Sequence, residues 1–162
     1  VKEYETVIIS EKYKAYASKS LGYYYFDKND LAKSKKYYGT HVSVNKNPYE
    51  YVLYRLGQAN EKENNLKMAL ADYKLVYEKK GKLAEDAMLR AAEIYDRQEN
   101  NVEAEKLFTK LYATKDNKDL KAYSIEKLIY YKLLNEKTKE AKKYYDELKK
   151  LECTQITGIL YY

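Results

Sequence analysis

Apolar and small side chains recur along this chain in pairs of helical segments, and the pattern repeats after 35, 35 and 37 residues. In the second repeat, residues 52–57 carry apolar side chains at the three- and four-residue spacing of one helix face, and residues 66–77 do so again. The polar stretch Glu63-Asn64-Asn65 separates them, and asparagine disfavours helix because its side chain hydrogen-bonds to nearby backbone. Each repeat is therefore predicted to form two antiparallel helices joined by a turn.

The positions that recur hold a large residue, a small pair, another large or polar residue, a small residue, an aromatic residue and a final aliphatic residue. In the third repeat they are Met88, Ala91, Ala92, Tyr95, Ala104, Phe108 and Leu111. In the second they are Leu53, Leu56, Gly57, Asn60, Ala69, Tyr73 and Val76. In the first they are Ser18, Leu21, Gly22, Tyr25, Ser34, Tyr38 and His41. In the fourth they are Ile125, Leu128, Ile129, Lys132, Ala141, Tyr145 and Leu148. Self-similarity at this period predicts an all-α solenoid of stacked repeats.

The small positions predict close helix crossings within each repeat. Gly22, Gly57 and Ala92 of the first helices are expected to face the small residues of the second helices. The aromatic residue that follows in each second helix is expected to fill the space between one repeat and the next, and these residues are Tyr38, Tyr73, Phe108 and Tyr145. Many tyrosines are therefore predicted to be interior side chains with a polar tip.

The ends of the helices in the second repeat also have sequence signals. Asn47-Pro48 is predicted to open its first helix, since proline suits the first helical turn. Gly81 is predicted to end its second helix. Tyr4 and Val7 fit the second helix of a preceding repeat, and residues 159–161 match the start of a further one. The chain is therefore expected to be an internal fragment of a longer array.

These repeats resemble the tetratricopeptide repeat family in register over residues 15–152. The departures are His41, Asn60, Ile129 and Lys132, so the fourth repeat is the most degenerate. The resemblance implies a right-handed α-solenoid of about four full repeats with partial repeats at both ends. Its limits are 1–14 for the second helix of a preceding partial repeat, 15–49, 50–84, 85–121 and 122–156 for the repeats, and 157–162 for a truncated fifth repeat.

Two stretches, AEDAMLRAAEIYDRQENNVEAEKLF and NPYEYVLYRLGQANEKENNLKMALADY, resemble the repeats of bacterial envelope proteins. That family includes outer-membrane assembly lipoproteins and the Tol-associated periplasmic protein. The resemblance implies a periplasmic or outer-membrane-associated protein, with the cytoplasm as the alternative.

First helices of the resembled family line a concave groove that binds peptides or partner helices. The corresponding positions predict a peptide-binding groove that is rich in tyrosine except for an acidic third repeat. The residues singled out are Tyr16, Lys19, Tyr23, Tyr51, Tyr54, Gln58, Asp86, Glu93, Tyr123 and Tyr130. Tyrosine is enriched at binding hot spots, although the chain has 22 tyrosines overall, so their presence in the groove also fits composition alone. Some co-chaperones of the family bind a terminal carboxylate with Lys and Asn in the first repeat and Lys and Arg in the third. That role is rejected: Lys19 fits, but Tyr23 does not, and Leu89 and Glu93 stand where cations are needed.

Composition and charge narrow the function classes. The 162 residues carry 31 basic and 25 acidic side chains without a long basic block, which is typical of a solvated helical surface. Cys153 is the only cysteine, and His41, the only histidine, is expected in the core or at its edge. No apolar run is long enough to span a membrane. The sequence contains no nucleophile–base pair, phosphate loop or metal-ligand cluster.

The sequence therefore predicts a non-catalytic scaffold for a protein or peptide partner, with no cofactor, no metal and no small-molecule substrate. One alternative is an RNA-binding helical-repeat protein, which the acidic positions Asp86, Glu93 and Asp96 disfavour because they would repel phosphate. Another is a structural solenoid that self-associates through its open ends. The partner and the pathway are left open.

Overall fold

The computed structural model describes residues 11–114 and 117–151, and every regular element within these ranges is an α-helix. The helices are α1 (Glu11–Asp27), α2 (Leu31–Val44), α3 (Glu50–Lys62), α4 (Leu66–Glu78), α5 (Ala84–Arg97), α6 (Asn101–Tyr112), α7 (Lys118–Leu134) and α8 (Thr138–Lys150). The predicted all-α fold is confirmed. Tyr4, Val7, Cys153 and residues 159–161, which entered the sequence predictions, lie outside the described residues.

The chain divides into two compact units, an N-terminal unit that ends at Ala91 and a C-terminal unit that begins at Ala92, with α5 crossing the division. In the N-terminal unit α1 packs against α2, α2 against α3 and α3 against α4, and the first helices α1 and α3 also touch. In the C-terminal unit α6 packs against α7 and α7 against α8. Helices α1 and α7 begin four residues before the predicted repeat limits at 15 and 122, and those limits stay predictions.

Four turns between paired helices share one backbone conformation. The second residue before each second helix has a positive φ of 57–58°, and these residues are Asn29, Asn64, Glu99 and Glu136. The next residue donates its N–H to the carbonyl five positions earlier, at 2.8–2.9 Å, and the pairs are Asp30–Tyr25, Asn65–Asn60, Asn100–Tyr95 and Lys137–Lys132. This bond satisfies a free carbonyl at the helix end. The turn between paired helices therefore has the same backbone conformation in all four repeats.

Two glycines of the first helices make room for aromatic rings. A Cβ at Gly57 would lie 2.8 Å from the ring of Tyr73, and one at Gly22 would overlap the ring of Tyr38. The hydroxyl of Ser34 donates to the Gly22 carbonyl at 3.1 Å, which ties the two helices at their crossing. The predicted close approach within each of these repeats is therefore confirmed.

The aromatic residue of the second helix is buried in three of the four repeats. Tyr38 clusters with Val52 and Ala59 of α3, so it fills the space between the first two repeats as predicted. Tyr145 is half-buried, and the repeat against which it would pack lies outside the described residues, so its placement stays a prediction. Ile129 stands at the glycine position of this repeat, and Ile129 and Tyr144 both pack against the α7–α8 core.

The structure corrects the sequence interpretation of Pro48 and Gly81. Helix α3 begins at Glu50, so Pro48 precedes the helix rather than forming its first turn. Helix α4 ends at Glu78, and the left-handed residue after it is Lys80, with φ 53°, rather than Gly81. A Cβ at Gly81 would overlap the Glu50 carboxylate, so this glycine allows a close side-chain approach.

Candidate binding surface

Aromatic and basic side chains alternate on the adjacent faces of α1 and α3 in the N-terminal unit. We call this the aromatic–cation surface, and its members are Tyr16, Lys19, Tyr23, Phe26, Tyr49, Tyr51, Arg55 and Lys62. Tyr16, Tyr49 and Tyr51 are 61%, 58% and 41% exposed. Rigid aromatic side chains beside an arginine are the composition that dominates binding hot spots.

One end of the surface is organised around Lys19. Its ammonium lies 5.0 Å from the centre of the Tyr16 ring and 4.6 Å from that of Tyr49, within cation–π distance of both. Tyr49 stacks on the His41 ring at 5.7 Å, and the Nδ1 of buried His41 donates to the Ala15 carbonyl at 2.7 Å. His41 lies in the core, as predicted, and from there it fixes the exposed Tyr49 ring.

The middle of the surface is a chain of contacts across the two helices. Tyr23 meets the Tyr51 ring edge to face at 5.4 Å. Arg55 lies 5.0 Å from the Tyr51 ring centre and donates from Nε to the Tyr51 hydroxyl at 3.0 Å. Its Nη1 donates to Gln58 Oε1 at 3.2 Å. Burial raises the pKa of Tyr23, so its hydroxyl is neutral at physiological pH.

The other end of the surface is anchored by Phe26, which is buried at the end of α1. The Arg55 guanidinium lies 4.6 Å from its ring centre and the Lys62 ammonium 4.8 Å from it. One buried ring therefore contacts two cations that lie about two turns apart on α3.

An acidic region adjoins the surface on the α5 side of the N-terminal unit. Tyr54 packs against Tyr73 at 5.6 Å, and burial, followed by the charge of Asp86, raises its pKa. Tyr73 donates to Glu61 at 2.8 Å, and Arg90 forms an ion pair with the same carboxylate at 3.3 Å. Asp86 is exposed on α5. The predicted residues Tyr54 and Asp86 are therefore neighbours in a partly neutralised acidic setting.

The C-terminal unit holds the other three predicted residues. Tyr130 is 54% exposed and meets Tyr131 edge to face at 5.4 Å. Tyr123 is half-buried against Phe108 at 5.8 Å, and burial raises its pKa. Glu93 is half-buried on α5.

An ion-pair cluster lies beside Tyr130 in the same unit. Lys127 donates to Asp96 at 2.6 Å, and the Tyr131 hydroxyl donates to the other carboxylate oxygen. Burial alone would raise the pKa of Asp96, but the hydrogen bonds from Lys127 and Tyr131 outweigh it and hold this pKa below its usual value. An open depression of about 600 Å³ lies here, lined by Asp96, Arg97, Glu99, Glu126, Lys127 and Tyr130.

The structure brings half of the predicted groove residues together. Tyr16, Lys19, Tyr23, Tyr51 and Gln58 share the contacts of the aromatic–cation surface. Phe26 also falls at a groove position of the first repeat, whereas sequence reasoning missed the remaining three members, which are Tyr49, Arg55 and Lys62. Two of them had a signal, since Arg55 follows Tyr51 by four residues and Lys62 follows Arg55 by seven, which keeps them near one helix face. The role of these residues in peptide binding stays a prediction.

Within residues 11–114 and 117–151, no group of three or more His, Cys, Asp and Glu side chains could hold a metal ion. In those same ranges, no helix combines the length and the apolar character that crossing a bilayer requires.

Comparison with known proteins gives a structural likeness and no sequence match. No protein-family model matches the sequence, and no curated protein sequence is significantly similar to it. The crystal structure of MamA, a protein that contains tetratricopeptide repeats, superposes with a TM-score of 0.68 at 16% identity, over 92% of this chain and 84% of that one. The chain therefore has a helical-repeat fold of the tetratricopeptide type, the kind of fold implied by the sequence resemblance.

Proposed function

We propose that this chain is a non-catalytic scaffold that binds a segment of another protein on the aromatic–cation surface. The observation that carries the proposal is the pairing of exposed Tyr16, Tyr49 and Tyr51 with cations seated on their rings. Side chains held by ring and hydrogen-bond contacts lose little conformational freedom when a ligand docks, so more of the contact energy remains as affinity.

The helical-repeat fold supports a protein partner, because such folds present extended surfaces along stacked helices. Extended peptides and amphipathic helices both use aromatic side chains of this kind as anchors. Residues Tyr54, Gln58 and Asp86 would extend the contact toward α5. Glu93, Tyr123 and Tyr130 would form a second contact region in the C-terminal unit.

Selection from a random twelve-residue peptide library against the folded chain tests the proposal. The test variant is Tyr16→Ala/Tyr49→Ala/Tyr51→Ala. The matched control is Tyr24→Ala/Met68→Ala/Leu75→Ala, which removes three other exposed side chains of the N-terminal unit. We expect enriched peptides to bind the test variant at least about tenfold more weakly and the control unchanged, as measured by fluorescence anisotropy. Peptides that bind all three proteins equally would place the site elsewhere.

For the cellular setting, our proposal follows the sequence resemblance to envelope repeats. The protein would act at the periplasmic side of a bacterial envelope or at the outer membrane, in envelope assembly. Fractionation of the native cell tests this placement, and recovery of the protein in the cytoplasm would contradict it. RNA binding and self-association are the alternatives, and anisotropy with labelled RNA and sedimentation of the chain distinguish them.

A further inference from the structure

Three cations of the aromatic–cation surface have no carboxylate partner among the described residues. Lys19 and Lys62 contact only aromatic rings, and Arg55 adds only neutral hydrogen-bond acceptors. Other cations of the N-terminal unit do form ion pairs, which are Lys33–Asp30, Lys35–Glu63, Lys74–Glu78 and Arg90–Glu61. Several other lysines of the unit, such as Lys36 and Lys67, also form no ion pair within the described residues, so what sets this surface apart is that its three cations lie together on the rings of α1 and α3.

The same three cations retain free hydrogen-bond donors. A guanidinium carries five N–H groups, and Arg55 directs three of its bonds to the neutral groups of Tyr51 and Gln58. A ring face attracts an ammonium without accepting its N–H groups as a carboxylate would, so Lys19 and Lys62 can still donate to a ligand. The aromatic rings therefore hold the three positive charges in place and leave N–H groups available to a ligand.

We infer that the protein segment bound on the aromatic–cation surface is acidic. Its Asp or Glu side chains would face Lys19, Arg55 and Lys62, and aromatic or aliphatic side chains between them would contact Tyr16, Tyr49 and Tyr51. Charge complementarity carries this inference, since a basic segment would meet three uncompensated positive charges. The inference rests on the proposed function and names the chemistry of its partner.

A peptide fits this surface better than a single-stranded nucleic acid, which also combines negative charge with flat rings. Asp86 is exposed on the α5 side of the same unit, next to Tyr54. A continuous phosphate backbone that passed along the surface toward α5 would be repelled there. A peptide can place acidic residues opposite the cations only and neutral or basic residues opposite Asp86.

The test uses the same peptide library with a pair of charge-matched variants. The test variant is Lys19→Gln/Arg55→Gln/Lys62→Gln, and the control is Lys36→Gln/Lys67→Gln/Lys74→Gln, on α2 and α4. Both lose three positive charges, so the long-range field changes alike and only the local contacts differ. Circular dichroism verifies that both are folded. Dissociation constants of the enriched peptides are measured at about 50 and 300 mM salt, since screening weakens exposed charge pairs.

We expect the original chain to enrich peptides with a negative net charge and at least one aromatic or aliphatic anchor. Their affinity should fall at least about tenfold in the test variant and less than about threefold in the control. Neutral or basic peptides that still require Tyr16, Tyr49 and Tyr51 would overturn the acidic partner and leave the scaffold function standing. Loss of all tyrosine dependence would overturn both. A twelve-nucleotide uridine RNA that binds through the three cations and displaces the peptides would replace the protein segment with a nucleic acid.

Discussion

Basic side chains on the first helices have different partners in the two units. In the N-terminal unit, Lys19 and Arg55 lie on exposed rings and form no ion pair within the described residues. In the C-terminal unit, three lysines of α7 form ion pairs with acidic side chains at 2.6–3.0 Å, and the pairs are Lys121–Glu147, Lys127–Asp96, Lys132–Glu105 and Lys132–Glu140. The three α7 lysines therefore join helices, whereas Lys19 and Arg55 are held on rings and keep N–H groups free for a ligand.

The two units also differ at the crossing of their paired helices. Gly22 and Gly57 admit the buried rings of Tyr38 and Tyr73 in the N-terminal unit. In the C-terminal unit Ala92 stands at this position in the repeat of the buried Phe108, and Ile129 stands there in the repeat of the half-buried Tyr145. The N-terminal unit therefore has a glycine against its aromatic ring at both crossings, whereas the C-terminal unit has a larger residue at this position.

The largest effect is expected when a methyl group is added at the tightest crossing. Gly22→Ala places a Cβ inside the contact with Tyr38, which is fully buried, and should lower the free energy of unfolding by about 2–3 kcal/mol. Gly39→Ala, on α2, is the matched control, because no atom lies within 4 Å of its added Cβ. This control should raise the free energy of unfolding by about 0.5–1 kcal/mol. Urea unfolding followed by circular dichroism measures both, and a stabilised Gly22→Ala would contradict the packing argument.

A smaller effect is expected when a tied cation is removed from the C-terminal unit. Lys132→Met leaves Glu105 and Glu140 without their shared ammonium, whose side chain is only 14% exposed. We expect a loss of about 1–2 kcal/mol of unfolding free energy. Arg55→Gln in the N-terminal unit separates no ion pair and should cost less than about 1 kcal/mol. Thermal or urea unfolding measures both variants. Equal losses of unfolding free energy would show that the ion-paired Lys132 and the ring-bound Arg55 do not differ in their contribution to stability.

One buried aspartate of the N-terminal unit, Asp72, and one partly buried aspartate of the C-terminal unit, Asp96, have pKa shifts of opposite sign. Burial raises the pKa of Asp72 to about 6, only partly offset by the hydrogen bond that Asn60 donates at 2.8 Å. Asp96 ends with a lowered pKa, because Lys127 and Tyr131 outweigh its burial. A neutral amide therefore leaves a carboxylate poorly stabilised, whereas a cation and a hydroxyl stabilise it.

This contrast predicts opposite pH dependence at the two sites. Between about pH 4 and 6 the folded state keeps the Asp72 proton that the unfolded state has lost, so this site lowers stability as pH rises. Asp72→Asn should flatten that decline and raise the free energy of unfolding at pH 7.5 by about 1–2 kcal/mol. Asp96→Asn should instead lower stability at pH 7.5, with a deficit that shrinks as pH falls below about 4. Thermal unfolding measured across this pH range tests both predictions. Parallel curves of stability against pH for the original chain and Asp72→Asn would contradict the assignment of the decline to Asp72.

The structural features that follow from the repeat period could be predicted from the sequence. The features that depend on individual contacts between side chains could not. Helix pairs, turns and the buried Tyr38 and Tyr73 follow from spacing, because each repeat must bury the same face. The burial of Asp72 does not follow, since a polar residue on a second helix normally indicates a solvent-facing position. The position of Arg55 over two rings likewise depends on side-chain rotamers and on contacts between repeats, which a periodic pattern does not encode.

The smallest effect is expected at the repeated left-handed turn. The N-terminal unit uses Asn29 and Asn64 there, and the C-terminal unit uses Glu99 and Glu136, all at φ 57–58°. Asparagine tolerates this conformation, whereas glutamate does so at a cost, because its Cβ lies close to the following carbonyl. Glu136→Gly should therefore raise the free energy of unfolding by about 0.5–1 kcal/mol. Asn64→Gly, the matched change in the N-terminal unit, should alter it by less than about 0.5 kcal/mol, because asparagine already suits the turn. Urea unfolding of both variants measures the difference, and an equal gain at the two positions would show that the turn residue does not distinguish the units.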